Sequence, residues 1–134
     1  MIEGLDHIQI NAPKGHEDEA RAFFGELLGL LELKKPESLR ASGGVWFGLP
    51  DGRQLHTGVS EPFIPSRKGH VCLRVRNLDI FAEFLEVEGI SLQWDGRADA
   101  RRVFLFDPWG NRLEIVEGSH PSVPLELENV KSDQ

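Results

Sequence analysis

Apolar positions follow two rhythms along the chain, one of period two and one of helical period, and the succession of the two occurs twice. DHIQIN (6 to 11) alternates, so His7, Gln9 and Asn11 fall on one face of a strand and Ile8 and Ile10 on the other. A helical stripe comes next. Ala20, Phe23, Phe24, Leu27 and Leu28 stand at i, i+3, i+4, i+7 and i+8, predicting a helix over roughly Glu17 to Leu28, with Gly29 where a left-handed C-cap belongs. A short strand near Leu31 to Leu33 precedes VWFGLPDGRQLHTGV (45 to 59), which reads as strand, Pro-Asp-Gly turn and strand.

GHVCLR (69 to 74) then repeats the opening strand, displaced from position 7 to position 70. The second helix is expected over roughly Leu78 to Glu88, with Leu78, Phe81, Ala82 and Leu85 on its buried stripe, Asn77 as N-cap and Gly89 at its end. After a short strand near Ser91 to Trp94, VFLFDPWGNRLEIVE (103 to 117) aligns without a gap onto 45 to 59. Val45/Val103, Pro50/Pro108, Gly52/Gly110 and Leu55/Leu113 coincide. The pattern is therefore α+β, with two βαβββ modules at 1–60 and 70–117. EPFIPSRKG (61–69) is an extended linker. The tail 118–134 lacks periodicity, apart from Pro124-Leu-Glu-Leu, which suits a short edge strand. Modules this short cover their apolar sheet faces only by pairing, either within one chain or across a homodimer.

Composition narrows the function. With 134 residues, 40% hydrophobic and 28% charged, the chain is globular, and 22 acidic against 15 basic residues give a net charge of -7. That balance opposes phosphate-backbone attraction and excludes nucleic acid as a general partner. The most apolar stretch, Phe23 to Leu33, is interrupted by Glu26 and Glu32, far short of the roughly 20 apolar residues of a membrane helix. A single cysteine, Cys72, and an acidic rather than basic start point to a reducing cytoplasm.

The apolar face of each strand belongs under its helix, which leaves His7 and His70 on the opposite, concave face. In the closing strands Gln54, His56 and Gly58 share a face, as do Arg112, Glu114 and Val116, and the repeat sets His56 against Glu114. Two candidate ligands per module, His7 with His56 and His70 with Glu114, make a nitrogen and oxygen donor set for one divalent ion: Zn, Fe, Mn, Ni or Co. Gln9, Gln54, Arg74 and Arg112 lie on the ligand face and suit the orientation of an anionic substrate. His16 and His120 fall in loop and tail sequence and read as solvated.

LDHIQI, ARAFFGELLGL, GHVCLRV and FDPWGNRLEIVE resemble the opening strand, first helix, second opening strand and closing hairpin of the vicinal oxygen chelate superfamily, which includes glyoxalases, bleomycin-resistance proteins and extradiol dioxygenases. The resemblance spans residues 3 to about 117. It implies paired βαβββ modules forming a cup-shaped, partly closed mixed sheet around a metal, with ligands at His7, His56, His70 and Glu114. It also implies lyase, isomerase, transferase or dioxygenase chemistry on a small substrate that chelates the metal through vicinal oxygens. His56 stands where glyoxalase I-like members usually carry Glu, and is the candidate base, with Glu114 as the second catalytic candidate. The competing function is a non-catalytic binder of the bleomycin-resistance type, its pocket lined by Trp46, Phe47, Trp94 and Phe104.

Overall fold

A computed structural model of the chain describes residues 1–96 and 101–118; the predicted tail strand and His120 lie outside the described residues. Among the described residues eight strands run in the order the repeat predicts: β1 His7–Ala12, β2 Leu31–Leu33, β3 Trp46–Gly48, β4 Gln54–Val59, β5 Val71–Val75, β6 Gln93–Asp95, β7 Arg102–Phe106 and β8 Arg112–Glu117. They form two four-stranded sheets of matching order, β1-β4-β3-β2 and β5-β8-β7-β6. In the first, β1 and β4 are parallel while β3 is antiparallel to both β4 and β2, so the sheet is mixed. Backbone contacts divide the chain into two compact units: Met1–Val71 with Phe106–Leu113, and Cys72–Leu105 with the segment from Glu114 onward. No helix among the described residues is long and apolar enough to cross a membrane.

In the first unit the chain turns into helix α1 at Glu17–Ala20 and continues through Arg21–Leu27 in wider π-type turns rather than the α-helix the stripe predicts. The reason is visible in the core. A wider turn narrows the angle between successive side chains, so adjacent Phe23 and Phe24 are both buried, meeting edge-on at 4.9 Å. Phe24 also packs on Phe47, with centroids 5.8 Å apart, and Ile10, Ala12 and Leu55 are buried as well. Phe47 is therefore a core residue, not a pocket wall. It pairs with Leu55, one position out of phase with the His56 face.

The second unit follows its pattern more closely. Helix α2, Leu78–Val87, is capped by the Asn77 side chain, which accepts from the Ile80 N–H at 3.1 Å, and it buries Leu78, Ala82 and Leu85. Val103, Leu105 and Ile115 are buried on the sheet's core side. The two repeat-related turns also correspond: Gly52 and Gly110 both adopt positive φ, 92° and 96°.

The Asp-Pro-Trp-Gly-Asn turn belongs to the first unit and is tied down by a buried polar network. Asp107 accepts from the backbone N–H groups of Trp109 (3.0 Å) and Asn111 (2.8 Å) and from the Asn111 amide (2.7 Å). That amide also donates to the Asn11 carbonyl at 2.9 Å, and its oxygen accepts from Ser66 N–H at 2.8 Å. Asp107 and Asn111 are 5% and 3% exposed, so nearly all their polar capacity is met within the protein.

Candidate metal and substrate site

Parallel register sets His7 beside Gln54 and Gln9 beside His56, while antiparallel register sets Trp46 directly opposite His56. All five side chains share the face away from α1. His56 is buried between two rings: Trp46 stacks on it at 4.1 Å and 6°, and His7 stacks on it at 4.2 Å and 13°. Burial, then the nearby His7, lowers the His56 pKa; Asp6 opposes this, and Lys35 adds a smaller downward push.

Hydrogen bonds assign the ring nitrogens. His7 Nδ1 faces the Asp6 carboxylate at 2.8 Å, and His70 Nδ1 faces the Lys68 carbonyl at 3.0 Å. Both oxygens are acceptors, so Nδ1 carries the proton and Nε2 the lone pair, the arrangement second-shell partners impose on metal-binding histidines. His56 is turned the other way. Its Nε2 lies 2.8 Å from Gln54 Oε1, which leaves Nδ1 as its donor atom. Gln54, expected to contact substrate, is thus engaged in orienting His56.

Glu114 is 3% exposed on β8, and its charge is met by the Arg102 guanidinium from β7. Arg102 was not among the expected site residues. Alternation on β7 carries the signal, since Val103 and Leu105 are core and Arg102 and Phe104 share the other side. The Cys72 thiol is pushed up to about 11, by desolvation first and then by the adjoining Glu114 carboxylate, which accepts a hydrogen bond from it.

His7 and His56 come together, but no group of three or more His, Cys, Asp or Glu side chains among the described residues is arranged to hold a metal ion. The donor types fit a divalent metal, and the tautomer that Asp6 imposes on His7 fits ligation through Nε2. The stacked rings hold their in-plane lone pairs in two nearly parallel planes, so shared ligation requires one ring to rotate. Of the other expected substrate contacts, Gln9 lies across Gly58, whose missing Cβ gives its amide room, and Arg74 lies likewise against Gly118. Arg112 is half-buried, its backbone N–H donating to the Ser66 carbonyl at 2.9 Å.

The reading of His16 as solvated is corrected. It is 1% exposed, with Nδ1 2.7 Å from the Pro13 carbonyl and Nε2 2.7 Å from Thr57 Oγ1, and it meets Trp109 edge-on at 5.2 Å. Thr57 Oγ1 in turn accepts from Val45 N–H at 2.9 Å. The imidazole fills a polar gap between the start of α1 and β4, which strand and helix periodicity does not register.

No family model matches the chain. Among solved structures, a protein of Bacillus anthracis described as belonging to the glyoxalase family is 41% identical, with 89% of this chain and 98% of that chain covered and a TM-score of 0.84. Glyoxylase I 4 of Arabidopsis thaliana is 28% identical over 142 residues, 98% of this chain and 80% of the relative. The fosfomycin resistance protein FosX of Listeria monocytogenes shares the fold at a TM-score of 0.69 and 17% identity, covering 91% of this chain and 98% of its own. The chain belongs to the glyoxalase family, within the vicinal oxygen chelate superfamily.

Proposed function

We propose that this chain is a metal-dependent glyoxalase-like enzyme acting on a small substrate that presents two neighbouring oxygens. His7, His56, His70 and Glu114 would hold one divalent ion. The ion, when bound, supplies a Lewis acid that stabilises negative charge on the substrate oxygens. The supporting observation is the orientation of His7, stacked on His56 with Nδ1 committed to the Asp6 carboxylate, so that Nε2 carries the lone pair. His56 is the residue to take a proton, because burial and His7 hold it toward the neutral form and Gln54 fixes which nitrogen carries the lone pair. Gln9, Arg74 and Arg112 orient the substrate. The reading extends to a homodimer working in a reducing cytoplasm.

A second reading, a metal-free binder of the bleomycin-resistance type, is favoured by one observation: Glu114 already has a cationic partner in Arg102. Metal content separates the two. Native mass spectrometry of protein expressed without added metal is expected to show one equivalent, and the combined His7→Ala, Glu114→Gln variant to show none. A wild-type protein that carries no metal, and takes none up on reconstitution, overturns the enzymatic reading.

A further inference from the structure

The connection between β2 and β3, residues 34–45, is twice as long as its counterpart between β6 and β7, residues 96–101. Its extra length folds as a 3-10 turn, Glu37–Ser42, closed by Gly43 and Gly44 at φ 79° and 91°. A Cβ on Gly44 would run into the Thr57 carbonyl oxygen, so the loop lies flat against β4 only because that position is glycine. Glu17 secures it, accepting from the Gly44 N–H at 2.8 Å.

This loop and β2 line a cavity of about 490 Å³. In a chain of net charge -7, the wall carries Arg21, Lys34, Lys35 and Arg40 against Glu17 and Glu32. Arg21 is spent on Glu32 at 3.0 Å, while Glu17, held by the Gly44 N–H, keeps its charge. Three cations face this one carboxylate. Lys35 and Arg40 direct N–H groups at the carbonyls of Gly43 and Lys35, acceptors that bring no full negative charge, and Lys34 is exposed. Leu33, Val45 and Trp46 supply the apolar part of the lining, and the Trp46 ring stacks on His56. The cavity and the histidine pair therefore adjoin at one residue of β3.

We propose that the cavity walled by Lys34, Lys35, Arg40 and Trp46 binds the anionic end, carboxylate or phosphate, of a small molecule whose reacting end lies on the His7/His56 face. The substrate class is then an anion-tailed compound, an assignment that rests on the enzymatic reading above. Ammonium and guanidinium groups on a braced loop suit both kinds of anion, and Leu33, Val45 and Trp46 line the cavity beside them.

Isothermal titration of the full chain with phenyl phosphate and with phenylacetate tests the proposal. At least one is expected to bind saturably, one per chain, more weakly as salt rises; the tighter of the two identifies the preferred tail. The Lys34→Gln, Arg40→Gln double variant is expected to lose at least about tenfold in affinity, and each single variant about threefold, with thermal unfolding unchanged because these side chains are exposed. Lys14→Gln, an exposed lysine outside the cavity wall, is expected to bind the probe as wild type does. Absence of saturable binding by both probes, unchanged affinity in the double variant, or an equal loss in Lys14→Gln each overturns the proposal. Metal content is read separately, so a metal-free wild type that still binds the probe through Lys34 and Arg40 upholds the cavity while removing the enzymatic reading.

Discussion

Truncating Asn111 to alanine removes three hydrogen bonds at a site only 3% exposed: those to the Asn11 carbonyl at 2.9 Å, to Asp107 at 2.7 Å and from Ser66 N–H at 2.8 Å. Each polar group left unsatisfied in a buried site costs about 1–3 kcal/mol, and partial access of water at the turn holds the total to about 3 kcal/mol. For a chain of this length that lowers Tm by roughly 12 °C. The loss also depends on pH. Burial raises the Asp107 pKa, and the Asn111 side chain is the largest influence opposing it, so the variant's Asp107 is raised further. A carboxyl whose folded pKa lies above its unfolded value binds its proton more tightly in the folded state, so its contribution to stability increases as pH falls through the folded pKa. The penalty of Asn111→Ala is accordingly largest at neutral and alkaline pH and shrinks on acidification. Urea unfolding of both proteins at pH 8 and pH 5 measures it. A difference below about 1 kcal/mol at pH 8, or one that fails to shrink at pH 5, refutes the argument that this amide solvates a buried carboxylate.

Gly44→Ala forces a Cβ into the Thr57 carbonyl at a φ of 91°, and is expected to cost more than about 3 kcal/mol, read as loss of soluble protein or a collapsed Tm. Glu17→Gln loses the charge that the Gly44 N–H stabilises. The Glu17 pKa is lowered first by that bond, so its contribution, about 1 kcal/mol or less for a partly exposed group, is present above the unfolded pKa and lost as pH falls through the folded pKa. Wild type and variant should therefore differ in Tm at pH 7 and converge on acidification. His56→Gln is expected to keep the metal and, on whichever substrate a screen identifies, to lose ~100-fold to 10,000-fold in kcat; full kcat with retained metal would transfer the role of base to Glu114.

Much of the fold was legible because it rests on burial, and burial leaves a period in the sequence. Ile10, Leu55 and Phe47 are buried while His7, Gln54 and Trp46 share the opposite face, as alternation requires. The turn glycines at 52 and 110 revealed the repeat because only their positive φ closes those hairpins. Legibility failed where a polar group is buried by partners distant in sequence. His16 sits in a loop, and its contact with Thr57, 41 positions away, has no periodic trace. Arg102 and Glu114 form a pair through strand neighbours that composition alone does not connect. The π-type turns of Arg21–Leu27 escaped because the apolar spacing of a short amphipathic helix fits both windings, and the packing of Phe24 against Phe47 selects between them.

The departure from repeat symmetry bears most directly on function. Two copies of a βαβββ unit meet the same demands on core and turns, so their strands and helices are held to one pattern, whereas connections at the sheet edge are free to differ. The β2–β3 connection uses that freedom to place Lys34, Lys35 and Arg40 beside Trp46, and Trp46 in turn lies opposite His56 in the register of β3 and β4. Strand pairing makes the histidine face from residues that the repeat reveals, and the added loop makes the neighbouring charge from residues that it does not. Exchanging residues 34–45 for the shorter connection of the second module should therefore remove binding of the anionic probe while the His7/His56 pair stays in place. The decisive measurement is histidine side-chain NMR: unchanged His7 and His56 resonances with lost probe binding fit two separately built halves of one site, and simultaneous loss of both shows that the loop supports the histidine face itself.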